Sequence, residues 1–207
     1  MEAQKSFGSA VILCGGKSLR MGFDKCRITI GGKPIYEVIA EKLEAVFDDV
    51  ILVTSNQNKI TGSKYRVVED IVKECGPLGG IYTGLKYAAS EYVFFTACDM
   101  PFIDITLIGD IIDVLKGNVY NGAVAINRGY IEPLHSFYSK ALESSIKSSI
   151  DKGNYQISKL VQSSNIYLIE ENYWNKDQRS SIFSNLNYLK DLDILKEIYG
   201  DEVTINE

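Results

Sequence analysis

The sequence predicts a three-layer, doubly wound α/β fold around a mostly parallel sheet, and three observations carry that prediction. Near-continuous apolar runs at residues 10–13 (AVIL), 50–54 (VILVT) and 92–97 (YVFFTA) read as strands buried on both faces. Helical periodicities fall between and after them, at residues 34–47, 76–89 and 105–115. No internal repeat and no long linker interrupts the 207 residues, so one domain over 1–207 is expected, with a nucleotide-handling part at about 8–115 and an acceptor-handling part at about 116–207.

Taken in order, the first strand runs straight into a glycine loop. The helix at 34–47 is expected to begin with Pro34 at its first helical position, followed by Ile35, Val38, Ile39, Leu43 and Val46 on one face. Residues 65–68 (YRVV) read as a third strand ending at Glu69-Asp70, and Gly76-Pro77-Leu78-Gly79-Gly80 opens the next helix. Beyond 116 the pattern loosens. Residues 122–126 (GAVAI) and 131–138 (IEPLHSFY) read as strands, the second as an edge strand because Pro133 cannot donate to a ladder. Helices are expected at 139–150, 154–162 and 190–199, and residues 172–181 read as a polar loop.

Composition narrows the function classes. The net charge is −5 and the pI near 5.1, which argues against a nucleic-acid-tracking surface. Lys and Arg concentrated in one loop of such a chain point instead to a small anionic ligand. The cysteines Cys14, Cys26, Cys75 and Cys98 show no metal-ligand or C-x-x-C spacing, and reduced thiols are expected, Cys98 as a small buried hydrophobe. The start, MEAQKSFGSAVILCGG, has too short an apolar core for a secretory signal, and no run reaches membrane-spanning length; a cytoplasmic protein is the expectation.

The loop at 13–25, LCGGKSLRMGFDK, carries the chemistry. Gly15-Gly16 and Gly22 let backbone approach a ligand closely, with N–H groups aimed at phosphate oxygens. Neither G-x-G-x-x-G nor G-x-x-x-x-G-K-[ST] is present, so dinucleotide-binding and P-loop readings lose their main support. Arg20 offers a bidentate fork for phosphate and Lys25 a point charge able to follow a moving one. On spacing alone, a surface turn with a solvated arginine fits as well.

Two further sites favour the ligand reading. Asp99 closes the strand at 92–97 and is followed by Met100-Pro101, at the strand ends where open α/β sheets bind ligands. A carboxylate there suits Mg²⁺ shared with substrate phosphates, although a turn aspartate is the simpler alternative. The small residues after Glu69-Asp70 would leave room for a flat base or ribose, with Asp70 accepting from ring N–H or sugar hydroxyls.

With these residues in view, Leu13-Cys14-Gly15-Gly16-x-Ser18-x-Arg20-Met21-Gly22-x-Asp24-Lys25 resembles the L-A-G-G-x-S-x-R-M-G-x-D-K motif of the molybdenum cofactor guanylyltransferases. Gly32-Lys33-Pro34, Glu69-Asp70, Gly76-Pro77-Leu78-x-Gly80, Cys98-Asp99-Met100-Pro101, Glu132-Pro133-Leu134 and Phe183-Ser184-Asn185-Leu186-Asn187 follow in that family's order, so the resemblance spans nearly the whole chain. It implies a Rossmann-like nucleotidyltransferase fold and a Mg²⁺-assisted reaction. GMP passes from GTP to Mo-molybdopterin, forming molybdopterin guanine dinucleotide and releasing pyrophosphate.

Carried over by motif, Arg20, Lys25 and Asp99 are the implied catalytic residues, with Asp99 as the metal ligand. Leu13, Cys14, Gly15, Gly16, Lys25, Asp70, Gly76, Pro77, Leu78 and Asp99 would bind GTP. Asn185 and Asn187 would face the acceptor. GTP and the molybdopterin cofactor are the implied partners, with other cofactor-assembly proteins or acceptor molybdoenzymes as plausible helpers, and no nucleic acid or membrane. The nucleophile in such a reaction is a phosphate already ionised at neutral pH, so catalysis rests on alignment and charge neutralisation. His135 accordingly reads as a satisfied edge-strand residue rather than a catalyst.

The chain departs from the family at Cys14, at Val53-Thr54-Ser55, where asparagines are common, and at Tyr188-Leu189-Lys190-Asp191-Leu192, which follows the acidic T-P-E-D-L loosely. Cytidylyltransferases acting on the same cofactor, sugar-phosphate nucleotidyltransferases and a nucleotide-sensing adaptor are the alternatives. The G-P-L and N-x-N elements favour guanylyl transfer, and retention of Lys25 and Asp99 disfavours the adaptor.

Overall fold

The computed structural model of the protein describes residues 6–15, 25–174 and 182–205. Its main sheet is built from β1 (Ser9–Leu13), β4 (Asp49–Thr54), β5 (Arg66–Glu69), β6 (Tyr92–Ala97), β7 (Gly122–Asn127), β8 (Tyr130–Ser139) and β9 (Tyr167–Ile169). A smaller sheet joins β2 (Ile28–Ile30), β3 (Lys33–Pro34) and β10 (Val203–Ile205). The helices are α1 (Ile35–Leu43), α2 (Gly76–Tyr87), α3 (Ile105–Lys116), α4 (Glu143–Asp151), α5 (Ile157–Ser163), α6 (Glu171–Trp174) and α7 (Leu192–Tyr199).

The seven strands lie in the order β5-β4-β1-β6-β8-β7-β9. β5, β4, β1 and β6 pair in parallel, β8 runs antiparallel between β6 and β7, and β9 returns parallel to β7. The chain adds β4 and β5 on one side of β1, then crosses through α2 to lay β6 on the other side. The strand order therefore reverses between β1 and β6, the switch point at which open α/β sheets have their ligand crevice, beyond the strands' C-terminal ends.

Every residue of β1 is buried, as a strand covered on both faces requires. Alternation along β6 divides the core. Phe95 faces α2, where a methyl group on Gly84 would lie 2.5 Å from its ring. Phe94 faces the other way, stacking on Phe47 at 5.6 Å and packing on Phe137 at 5.3 Å. The strands on either side of residue 115 are ladders of this one sheet.

The structure corrects several expectations. Pro34 is the residue preceding α1, in extended conformation within β3, rather than its first helical residue; its φ of −55° and ψ of 143° lead into the helix without belonging to it. The strand around Pro133 is not at an edge. β8 lies between β6 and β7 and accommodates the proline in a wide irregularity. Two steps of β7, from Ala123 to Ala125, span five of β8, from Phe137 to Glu132. Tyr138 Oη donates to the Pro133 carbonyl at 2.8 Å and Ser136 Oγ to the Glu132 carbonyl at 3.0 Å, closing that bulge. The segment read as a polar loop starts within the short helix α6, and residues 175–181 of it lie outside the described residues.

Candidate active site

β1 and β6 deliver their ends side by side. The Cys98 N–H donates to the Leu13 carbonyl at 3.1 Å, and the Cys14 N–H to the Val53 carbonyl at 2.7 Å. Leu13 and Cys14 are buried, and a methyl group on Gly80 would meet Leu13 Cδ2 at 2.8 Å. What β1 presents to the crevice is thus main chain, followed by the exposed Gly15. Gly16 and Arg20 lie outside the described residues, as does the rest of the loop up to Asp24.

Lys25, Asp99 and Asn187 come together here. Lys25 opens a short 3-10 turn, Lys25–Arg27, that leads into β2. Its Nζ donates to Asp99 Oδ2 at 2.7 Å and to Asn187 Oδ1 at 3.0 Å. The two charged side chains are 13 % and 23 % exposed, so the pair is partly desolvated but reachable from the crevice. The Leu186 N–H donates to the Asp99 carbonyl at 2.9 Å, which brings the 183–187 segment across the end of β6. Asn185, by contrast, is exposed.

Asp70 sits beyond β5, its N–H held by the Thr54 carbonyl at 2.9 Å. Thr83 Oγ1 donates to Asp70 Oδ1 at 2.6 Å and accepts from the Ile71 N–H at 3.1 Å. Thr83 is fully buried, two turns into α2, and no sequence signal singled it out. Gly79 and Gly80 do not leave the open space expected of them, although nothing lies within 4 Å of where a methyl group on Gly76 would stand. A methyl group on Gly79 would lie 2.8 Å from the Val72 carbonyl, so Gly79 and Gly80 serve close packing of α2 on the loop and on β1. Gly76 and Pro77 are exposed, whereas the Leu78 side chain is wholly buried. Gly76 also has a φ of +60°, where a side chain is strained.

Three of the four thiols gather under this region. Cys26 Sγ donates to the Cys14 carbonyl at 3.5 Å, and the Cys26 thiol also hydrogen-bonds Cys98. That contact and complete burial push the Cys98 thiol well above its ordinary range, as expected of a buried small hydrophobe. His135 is not a satisfied edge residue. It is fully buried at a φ of +63°, edge-on to Phe94 at 5.1 Å and Phe183 at 6.0 Å, and neither ring nitrogen makes a conventional hydrogen bond. Burial pulls its pKa down to about 4, opposed in part by Asp104.

Among the described residues the arrangement offers main-chain groups, a lysine and a carboxylate at a topological switch point. It suits alignment and neutralisation of phosphates rather than covalent catalysis.

Comparison with known proteins agrees with this geometry. Residues 10–168 match the family described as MobA-like NTP transferase domain. A probable molybdenum cofactor guanylyltransferase of Peptoclostridium acidaminophilum is 36 % identical over 98 % of this chain and 94 % of its own length. A molybdenum cofactor guanylyltransferase of Syntrophotalea carbinolica is 35 % identical, covering 90 % of each chain. The crystal structure of molybdopterin-guanine dinucleotide biosynthesis protein A from Archaeoglobus fulgidus superposes with a TM-score of 0.80 at 21 % identity, covering 92 % of this chain and 97 % of that one. The chain belongs to the MobA-like NTP transferase family.

Proposed function

We propose that the protein is a molybdenum cofactor guanylyltransferase: it transfers GMP from GTP to Mo-molybdopterin, forming molybdopterin guanine dinucleotide and releasing pyrophosphate. The observation that carries the reading is the Lys25–Asp99 pair, 2.7 Å apart, at the switch point between β1 and β6. The relatives named for this activity align over almost the entire chain. The whole chain is taken as one working unit, residues 8–115 handling the nucleotide and 116–207 the acceptor.

The main chain of Leu13, Cys14 and Gly15, together with Gly16 and Arg20, holds the triphosphate, while Asp70 and residues 76–78 receive the nucleoside. Only the backbone of Leu78 is available for this, since its side chain is core. Lys25 neutralises charge on the phosphate under attack. Asn185 and Asn187 face the acceptor, whose terminal phosphate is the nucleophile and arrives already ionised.

The residues fit a magnesium ion shared with substrate. Asp99 supplies a hard, partly exposed carboxylate, and among the described residues no cluster of three His, Cys, Asp or Glu forms an all-protein cage. Asp99 would hold the ion, which when bound neutralises phosphate charge. Among the described residues no helix is long and apolar enough to cross a membrane.

The test is pyrophosphate release from GTP, CTP, ATP or UTP with Mo-molybdopterin and Mg²⁺. Turnover with GTP alone is expected. Turnover confined to CTP would make the enzyme a cytidylyltransferase, and turnover with a sugar phosphate in place of molybdopterin would overturn the acceptor.

A further inference from the structure

We propose that Asp191 is a positioning residue of this centre: its carboxylate fixes the main chain of Asn187 so that the Asn187 side chain orients Lys25 against Asp99. The proposal rests on the reading of Lys25 and Asp99 given above. Asp191 Oδ2 accepts from the N–H of Asn187 at 2.7 Å and from that of Tyr188 at 2.8 Å. On the other side, the Leu186 N–H is bound to the Asp99 carbonyl at 2.9 Å, and the Leu186 side chain is buried. Asn187 is thereby held from both directions. Its Oδ1 accepts from Lys25 Nζ at 3.0 Å, and Lys25 meets Asp99 Oδ2 at 2.7 Å. The chain of contacts runs from Asp191 through Asn187 to Lys25 and Asp99.

Two short bonds to one ionised oxygen are the strong kind, since the acceptor is charged and the site is partly buried. The capping box of the 3-10 turn Leu189–Asp191 accounts for the bond from the Tyr188 N–H, but it requires neither the bond from the Asn187 N–H nor the bond that Lys25 donates to Asn187. Asp191 does not itself touch the reacting groups; it acts through Asn187. Small displacements of an aligning group cost turnover steeply, about a hundredfold for 1 Å.

The experiment uses the full chain as Asp191→Ala, Asp191→Asn, Asn187→Ala and the Asp191→Ala/Asn187→Ala double variant. Asp191→Ala is expected to lower kcat with GTP by about tenfold to a hundredfold while leaving the KM for GTP within about twofold. Asp191→Asn, whose amide oxygen still accepts both N–H groups, should recover most of the loss. Adding Asp191→Ala to Asn187→Ala should cost almost nothing more, because both remove one coupled arrangement.

A second measurement does not depend on turnover. In competitive labelling with acetic anhydride, Lys25 should react at least about threefold faster in Asp191→Ala than in the unaltered chain, with Lys33 and Lys64 unchanged as internal references and Asp191→Asn close to the parent. Equal Lys25 reactivity in Asp191→Ala, an equal loss in Asp191→Asn, or additive losses in the double variant overturns the proposal. If the unaltered chain fails to turn over GTP and Mo-molybdopterin, the guanylyltransferase reading fails by itself. The labelling result then decides the role of Asp191.

Discussion

At the scale of single residues, the ion pair at the end of β6 separates chemistry from stability. Lys25 and Asp99 are mostly buried, and the cost of desolvating the two charges offsets much of what their attraction adds to folding. Asp99→Asn should therefore melt within a few degrees of the parent while losing turnover by about a hundredfold or more, as removal of one preorganised charge does. Melting curves and pyrophosphate release on the same preparation check both halves. Thr83→Val keeps the shape but deletes the 2.6 Å bond to Asp70 and the acceptor for Ile71 N–H. We expect the KM for GTP to rise about fivefold to tenfold, in line with about 1 kcal/mol per hydrogen bond, with kcat little changed. Lys25, Asp70 and Asp99 were legible in the sequence because each is the last residue of a local pattern, a loop or a strand end. Thr83 and Asp191 were not, because each acts through a hydrogen bond whose partner is set by how a turn or helix packs.

Helices and strands show the same division. The small residues from Gly76 to Gly80 read as room for a flat ligand at the start of α2, yet Gly79, Gly80 and the later Gly84 are sites of close packing. Gly84→Ala would bring a methyl group 2.5 Å from Phe95 and 2.9 Å from Val11, on the two strands that carry the site. Overpacking of this kind should cost about 2 kcal/mol and lower Tm by about 4–8 °C in calorimetry. β8 deceived the periodicity in another way. Its proline reads as an edge signal, but three-residue excess length lets the strand bulge around Pro133 and remain between two neighbours. The bulge buries His135, a base whose folded pKa of about 4 lies below its ordinary 6.5. Above pH 6.5 both folded and unfolded chains carry it neutral, and it adds nothing. As pH falls from 6.5 to 4 the unfolded chain takes up a proton that the folded chain refuses, so stability is lost, by about 3 kcal/mol at pH 4. His135→Leu should shrink the difference between the unfolding free energies from urea titrations at pH 7 and pH 4 by that amount. An unchanged difference would show that His135 titrates normally.

Across the whole molecule, the last residues close the structure over its beginning. β10 pairs with β2 through Val203↔Ile30 and Ile205↔Ile28, the Gly31 N–H donates to the Glu202 carbonyl at 3.0 Å, and the Thr29 and Thr204 hydroxyls share a 2.6 Å bond. β2 follows directly from the turn that bears Lys25. A chain ended after Tyr199 would uncover Ile28 and Ile30, now almost fully buried. It should lose about 2–4 kcal/mol and most of its turnover, with amide exchange accelerated first at residues 28–30. The sequence by itself determined the parallel half of the sheet and the grouping of charge just beyond the strands at 10–13 and 92–97. Buried parallel strands must be continuously apolar, and a main-chain phosphate cradle must be rich in glycine, so both leave local marks. Only the tertiary structure decided that β8 lies inside the sheet, that a second small sheet ties the C-terminal residues to β2, and that Asn187 rather than Asn185 meets Lys25. Those contacts join residues up to 177 positions apart, and a pairing at that distance is selected by packing and complementary hydrogen bonds that no short stretch of sequence contains.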